Sequence, residues 1–127
     1  MILGIGTDLC EISRIERALG RWGERFAERV LVESELERFR RHTKPAAYLA
    51  KRFAAKEAFS KALGTGIHYP VNWHNVWVEN ARSGKPSLKY SPALSALLDQ
   101  RGIASVHLSL TDETGMACAF VVVEGRA

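Results

Sequence analysis

Two stretches of this chain place acids and bases where a metal or a polyphosphate could use them. Asp8 lies near the polar end of a run, residues 2–9, that is apart from Thr7 apolar or glycine. A carboxylate at the polar end of such a strand suits a hard cation, since Mg²⁺ takes one or two carboxylates and completes its shell with phosphate oxygens and water. It equally suits the cap of a following helix, and the spacing leaves both open. The second stretch is the helix-forming run 45–63. On a helical wheel Phe53, Glu57 and Lys61 fall on one strip, with Arg52 and Lys56 on the strip beside it. One acid among several cations fits a metal-bound polyphosphate. Glu57 with Lys61 is also a well-oriented i,i+4 ion pair, which on a solvated surface contributes only about 0.3–0.5 kcal/mol.

Three weaker patterns accompany these. Arg14, Arg17, Arg21 and Arg25 fall in a narrow arc if one helix carries them all, and Arg29 extends the i,i+4 series. Like charges at that spacing repel, so an anionic partner is attractive, although Glu24 and Glu28 could neutralise them internally. Gly84-Lys85-Pro86 is a turn that could offer a backbone and a cation to a nucleotide, or simply reverse a hairpin. His107, Ser109 and Thr111 alternate onto one face of a strand. No Walker loop, GxGxxG motif or nucleophile–histidine arrangement is present.

The elements that must position these residues follow from pattern. Residues 2–9 are predicted as a buried strand, followed by a helix from about Glu11 that Gly20 and Gly23 interrupt before Phe26. A short charged helix covers 33–41. Pro45 suits a first helical position and Gly64 a helix stop, so 45–63 forms the longest helix. Its Ala46, Ala47, Ala50, Ala54, Ala58 and Ala62 offer a small-residue side for close backbone packing. Strands at 74–80 and 86–90 flank the Ser83–Pro86 turn, a helix runs from Ser91-Pro92 to about Gln100, and strands at 103–110 and 116–123 flank Thr111–Gly115. Strands at both ends with helices between them predict an α+β domain spanning 1–127, mainly antiparallel.

Composition sets the limits. Residues 1–61 hold 13 Lys and Arg against 9 Asp and Glu, whereas 62–127 hold 5 of each, so the net charge of +4 belongs entirely to the first half. That half favours an anionic partner. Two cysteines make no disulfide framework, the opening MILGIGTDL does not read as a secretory leader, and no apolar run is long enough to span a bilayer. A cytoplasmic location is expected.

Taken together, GIGTDLCEISRIE (4–16), RFAAKEAFSKALGTGI (52–67), GKP (84–86) and HLSLTDE (107–113) resemble the motifs of the holo-acyl-carrier-protein synthase family of phosphopantetheinyl transferases, in that family's order and spacing. The resemblance implies that family's fold and a homotrimer with active sites between subunits. It implies transfer of the 4′-phosphopantetheine arm of coenzyme A to a serine of apo-acyl carrier protein, with release of 3′,5′-ADP, in support of fatty acid biosynthesis. Asp8 and Glu57 would hold Mg²⁺, and Lys61 would face the pyrophosphate. Lys44, Arg52 and His107 would meet the phosphate on the ribose, and Gly84, Lys85 and Pro86 would border the adenine. Arg14, Arg21 and Arg25 would dock the acidic carrier protein. Whether Glu57 or a water on the metal deprotonates the serine stays open. Asp112 departs from the pattern, standing where many relatives carry His. Two rivals are weaker: an RNA-binding module lacks an aromatic-basic recognition strand, and a Mg²⁺-dependent nucleotide hydrolase would use the same acid pair with water in place of serine. Neither nucleic acid nor membrane is expected as a partner.

Overall fold

The computed structural model describes residues 1–126. Its elements are β1 (Ile2–Glu11), α1 (Ile12–Trp22), α2 (Glu24–Val30), α3 (Glu33–Arg41), α4 (Pro45–Leu63), β2 (Val76–Asn80), β3 (Pro86–Tyr90), α5 (Pro92–Gln100), β4 (Ile103–Glu113) and β5 (Met116–Gly125). The chain's first and last strands are neighbours in an antiparallel sheet ordered β1-β5-β4, and β2 and β3 form a separate hairpin. This is the predicted α+β class.

The main sheet packs one face on α4. In β5 every second residue, Ala117, Ala119, Val121 and Val123, is buried against it, as period-two alternation requires. In β1 the inward positions are Gly4, Gly6, Asp8 and Cys10. A Cβ at Gly4 would stand 2.0 Å from the Ala62 carbonyl oxygen, and one at Gly6 would stand 2.0 Å from that of Ala58. The strand backbone therefore lies directly on the helix backbone, on the alanine side that the sequence offers for it. Glycine is required here for close approach rather than for an unusual φ.

A buried ion pair ties the other helices to α4. Lys56 and Glu35 are 0% and 1% exposed, with Nζ 2.7 Å from Oε1. Lys56 Nζ also donates to the carbonyls of Val30 and Trp73. Glu35 further accepts the backbone N–H groups of Val32 and Val78. Every ammonium proton is used, so the desolvated charges are compensated. The pair fastens α2, α3, β2 and the loop before β2 to one point of α4. It also corrects the placement of Lys56 beside the phosphate-facing cations: this lysine is interior.

Two boundaries differ from expectation for backbone reasons. Gly20 stays inside α1, and the interruption falls at Gly23, with φ +66° and ψ −155°, a conformation no helix can pass through. Strands β4 and β5 run on to Glu113 and from Met116, because Thr114 and Gly115 both take positive φ. The predicted five-residue turn is thus a two-residue hairpin turn of the primed kind.

Gly6→Ala is expected to lower the unfolding free energy by about 2–3 kcal/mol or more through backbone overpacking. Gly20→Ala, whose added Cβ meets nothing within 4 Å, should raise it by about 0.5–1 kcal/mol. Urea denaturation of both variants checks the contrast.

Candidate active site

The contact between β1 and α4 brings together the two stretches with which the sequence opens. Asp8 lies on the α4 face of β1, one inward position beyond Gly6, and its side chain is 14% exposed. Lys61, on α4, places Nζ 3.0 Å from Asp8 Oδ1 and 3.1 Å from the Thr7 carbonyl oxygen. Asp8 is therefore not a helix cap, and Lys61 pairs with Asp8 rather than with its helical neighbour Glu57. Glu57 lies one turn earlier on the same strip of α4.

Burial raises the proton affinity of the Glu57 carboxyl above the ordinary carboxylate range. The charge of Asp8 adds to this rise, and Lys61 and Arg14 oppose it. The two carboxylate charges thus repel one another, and a cation bound to both would relieve this. No group of three or more His, Cys, Asp or Glu side chains that could hold a metal occurs among the described residues. A pair of carboxylates fits Mg²⁺, which takes one or two such ligands and completes its shell from substrate and water, and does not fit a closed structural site.

The remaining candidates separate into groups. Arg52 is only 4% exposed. Its guanidinium lies over the Tyr48 ring at 4.2 Å and donates to Asn80 Oδ1 at 2.6 Å. Asn80 Nδ2 in turn donates to the carbonyl of Gly84, so Arg52 and the Gly84-Lys85-Pro86 turn belong to one corner. Lys44, exposed at the start of α4, lines a cleft of about 560 Å³ with Glu16, Thr43, Asp112 and Gly115. Asp112 pairs with Lys51 at 3.1 Å, which gives the residue that departs from the family pattern a local partner. His107, Ser109 and Thr111 share one face of β4, as predicted, and the sheet register makes it the face opposite Asp8. There His107 Nε2 is 2.6 Å from Glu124 Oε1.

Among the arginines, Arg14 extends over the Phe53 ring at 5.5 Å, beside Glu57. Arg21 lies over the Trp22 ring at 5.1 Å. The break at Gly23 removes Arg25 and Arg29 from the arc: on α2 they line a pocket of about 300 Å³ with Trp22 and Phe26. Glu24 does not neutralise that series, because it pairs with Arg40.

Sequence reasoning passed over Glu35, Asn80 and Glu124. Each draws its meaning from partners distant in the chain, at separations of 21, 28 and 17 residues, and no local pattern marks such pairs.

With this geometry in view, the comparisons with known proteins are decisive. The chain belongs to the 4′-phosphopantetheinyl transferase superfamily, whose family profile matches residues 4–121. A holo-[acyl-carrier-protein] synthase of Azoarcus sp. (strain BH72) is 54% identical over 126 residues, covering 99% of this chain and 100% of the relative. The crystal structure of holo-[acyl-carrier-protein] synthase from Neisseria meningitidis superposes with a TM-score of 0.95 at 49% identity, covering 98% of this chain and 99% of that one. A Bacillus anthracis holo-(acyl-carrier-protein) synthase in complex with CoA (3′,5′-ADP) matches at a TM-score of 0.82 and 38% identity, covering 99% of each chain.

The raised proton affinity of Glu57 makes stability depend on pH. Stability is lost as pH rises from the ordinary carboxylate range through the folded-state value, and the full cost stands above it. In metal-free protein Glu57→Gln should therefore raise the melting temperature at pH 7–8, and the gain should vanish on acidification below the ordinary carboxylate range. Thermal denaturation across pH in EDTA checks this.

Proposed function

We propose that this chain transfers the 4′-phosphopantetheine arm of coenzyme A to a serine of apo-acyl carrier protein, as a Mg²⁺-dependent holo-acyl-carrier-protein synthase serving fatty acid biosynthesis in the cytoplasm. The observation that carries the reading is the Asp8, Glu57 and Lys61 cluster, built at the β1–α4 contact of a chain whose full-length relatives are named for this reaction.

The serine hydroxyl attacks the β-phosphate of coenzyme A. A bond forms from the serine oxygen to phosphorus, the bond from that phosphorus to the bridging oxygen breaks, and 3′,5′-ADP leaves. A pyrophosphate repels a nucleophile, so positioning and charge compensation carry the catalysis. Asp8 and Glu57 are the residues that would hold Mg²⁺, which when bound withdraws charge from the phosphate oxygens. Lys61, oriented by Asp8 and the Thr7 carbonyl, presents an ammonium to the leaving phosphate. Glu57, the acid of that cluster on α4, is the group of the chain that would accept the serine proton. Arg14, which reaches over Phe53 toward Glu57, is placed to hold an acidic carrier at the mouth of the site. Arg21 continues that cationic surface at Trp22, and Arg25 would add to it from α2, across the break at Gly23.

The homotrimer is supported by the far side of the sheet. Ile5, Leu9 and Phe120 are 61%, 66% and 45% exposed there, forming an apolar face that a second copy would cover. His107 shares this face and so points away from its own chain's Asp8. A contact between His107 and the ribose phosphate therefore requires the site of a neighbouring subunit.

Intact mass of an apo-acyl carrier protein, after incubation with this chain, coenzyme A and Mg²⁺, should rise by one phosphopantetheine and stay unchanged with EDTA. Asp8→Ala and Glu57→Ala should each lower kcat/KM by about 10²-fold or more while remaining folded. Coenzyme A breakdown without a mass gain would favour the hydrolase instead. Phe120→Glu is expected to convert the trimer to monomers in light scattering and to abolish the mass gain. A wild-type protein that is monomeric at micromolar concentration would contradict the assembly.

A further inference from the structure

One side chain at the end of β2, Asn80, joins the hairpin's turn to both α3 and α4. Asn80 Oδ1 accepts from Arg52 Nη2 at 2.6 Å and, at the longer distance of 3.4 Å, from Arg38 Nη1. Its Nδ2 donates to the Gly84 carbonyl oxygen at 3.0 Å. The turn itself is closed by Gly84 N–H to the Ala81 carbonyl and Ala81 N–H to the Lys85 carbonyl, with Gly84 at φ +93°. One neutral amide thus joins two guanidiniums to the turn.

The charges do not balance at this corner. A guanidinium carries five N–H donors and keeps its charge at any ordinary pH. Arg52 is nine-tenths buried and more, yet its Nε has no hydrogen-bond partner. Arg38 is exposed and forms no ion pair among the described residues. The nearest acid to Arg52, Glu35, is already committed to Lys56. Two adjacent cations sharing a single uncharged acceptor are completed by an anion with several oxygens, which a phosphate monoester supplies in forked geometry.

We infer that Asn80 is a positioning residue, and Arg38 a second guanidinium contact, for recognition of the ribose phosphate of coenzyme A. This rests on the reading in which Arg52 and the Gly84–Pro86 turn meet that end of the substrate. Asn80 acts through its neighbours: it holds Arg52 and Arg38 side by side and fixes the turn against them, so phosphate and nucleobase are read by one rigid unit. Arg38 makes the phosphate contribution larger than one buried arginine alone can give.

The test compares coenzyme A with the analogue lacking the ribose phosphate, in steady-state kinetics with apo-carrier protein. Wild type should prefer coenzyme A. In Arg38→Gln and in Asn80→Ala the ratio of kcat/KM for coenzyme A to that for the analogue should fall about ten-fold, as expected for a lost charged hydrogen bond. The change should lie in KM rather than kcat. A ratio unchanged in both variants, against a discriminating wild type, overturns the inference and leaves the Arg52 reading intact. A wild type that does not discriminate overturns that reading too. Should Asn80→Ala fail to fold, the exposed Arg38→Gln decides the matter.

Discussion

The contact on which this structure depends is backbone against backbone. Gly4 and Gly6 lie so close to the carbonyls of Ala62 and Ala58 that a single added methyl group would overlap them. Helices and strands ordinarily keep side chains between them. Here that spacing is removed over one short stretch, and the next inward residue on β1 is Asp8. A longer distance between β1 and α4 would carry the Asp8 carboxylate out of reach of Lys61, which it meets at 3.0 Å. The small residues and the acid cluster are therefore one feature: the first sets the distance at which the second can exist.

The buried pair of Lys56 and Glu35 complements this by fixing α4 in rotation. Lys56 immediately precedes Glu57 in the chain, and its ammonium is held by Glu35 and two carbonyls from other segments. Turning α4 to move Glu57 would strand a buried charge, which is strongly destabilising. The strand contact sets the translation of the helix and the ion pair sets its azimuth. The strip that carries Glu57 and Lys61 thus faces the same way before any ligand arrives, which is the preorganisation that the proposed phosphoryl transfer would require.

Much of this was legible in the sequence because it is local. The alternation of glycine and acid in β1, the alanine side of α4, Pro45 and Gly64 at its ends, and the turn at Gly84 each have a physical cause within a few residues. The family motifs joined Asp8 to Glu57 across 49 positions, which periodicity alone could not do. Illegible were the features settled by tertiary partners. Lys56 looks like a surface cation until Glu35 is seen beside it, Arg52 looks exposed until Asn80 and Tyr48 enclose it, and Gly20 and Gly23 look alike until the backbone angle distinguishes them. The arginine series stayed conditional for the same reason, since one glycine's φ decides whether Arg25 continues the line of Arg14 and Arg21.

The sheet order has a consequence for how the protein is made. β1, which carries Asp8, pairs with β5, so Ile2 opposes Glu124 at the far end of the chain. At a synthesis rate of about 5–20 residues per second, the first strand waits roughly 6–25 s for its hydrogen-bond partner to be translated. During that interval Ile2, Ile5 and Leu9 have an unpaired strand edge beside them. The Asp8–Lys61 contact lies between β1 and α4 and so does not itself wait for β5. Until β5 pairs with it, β1 offers an open apolar edge on which another strand could add, and closing that edge completes the sheet.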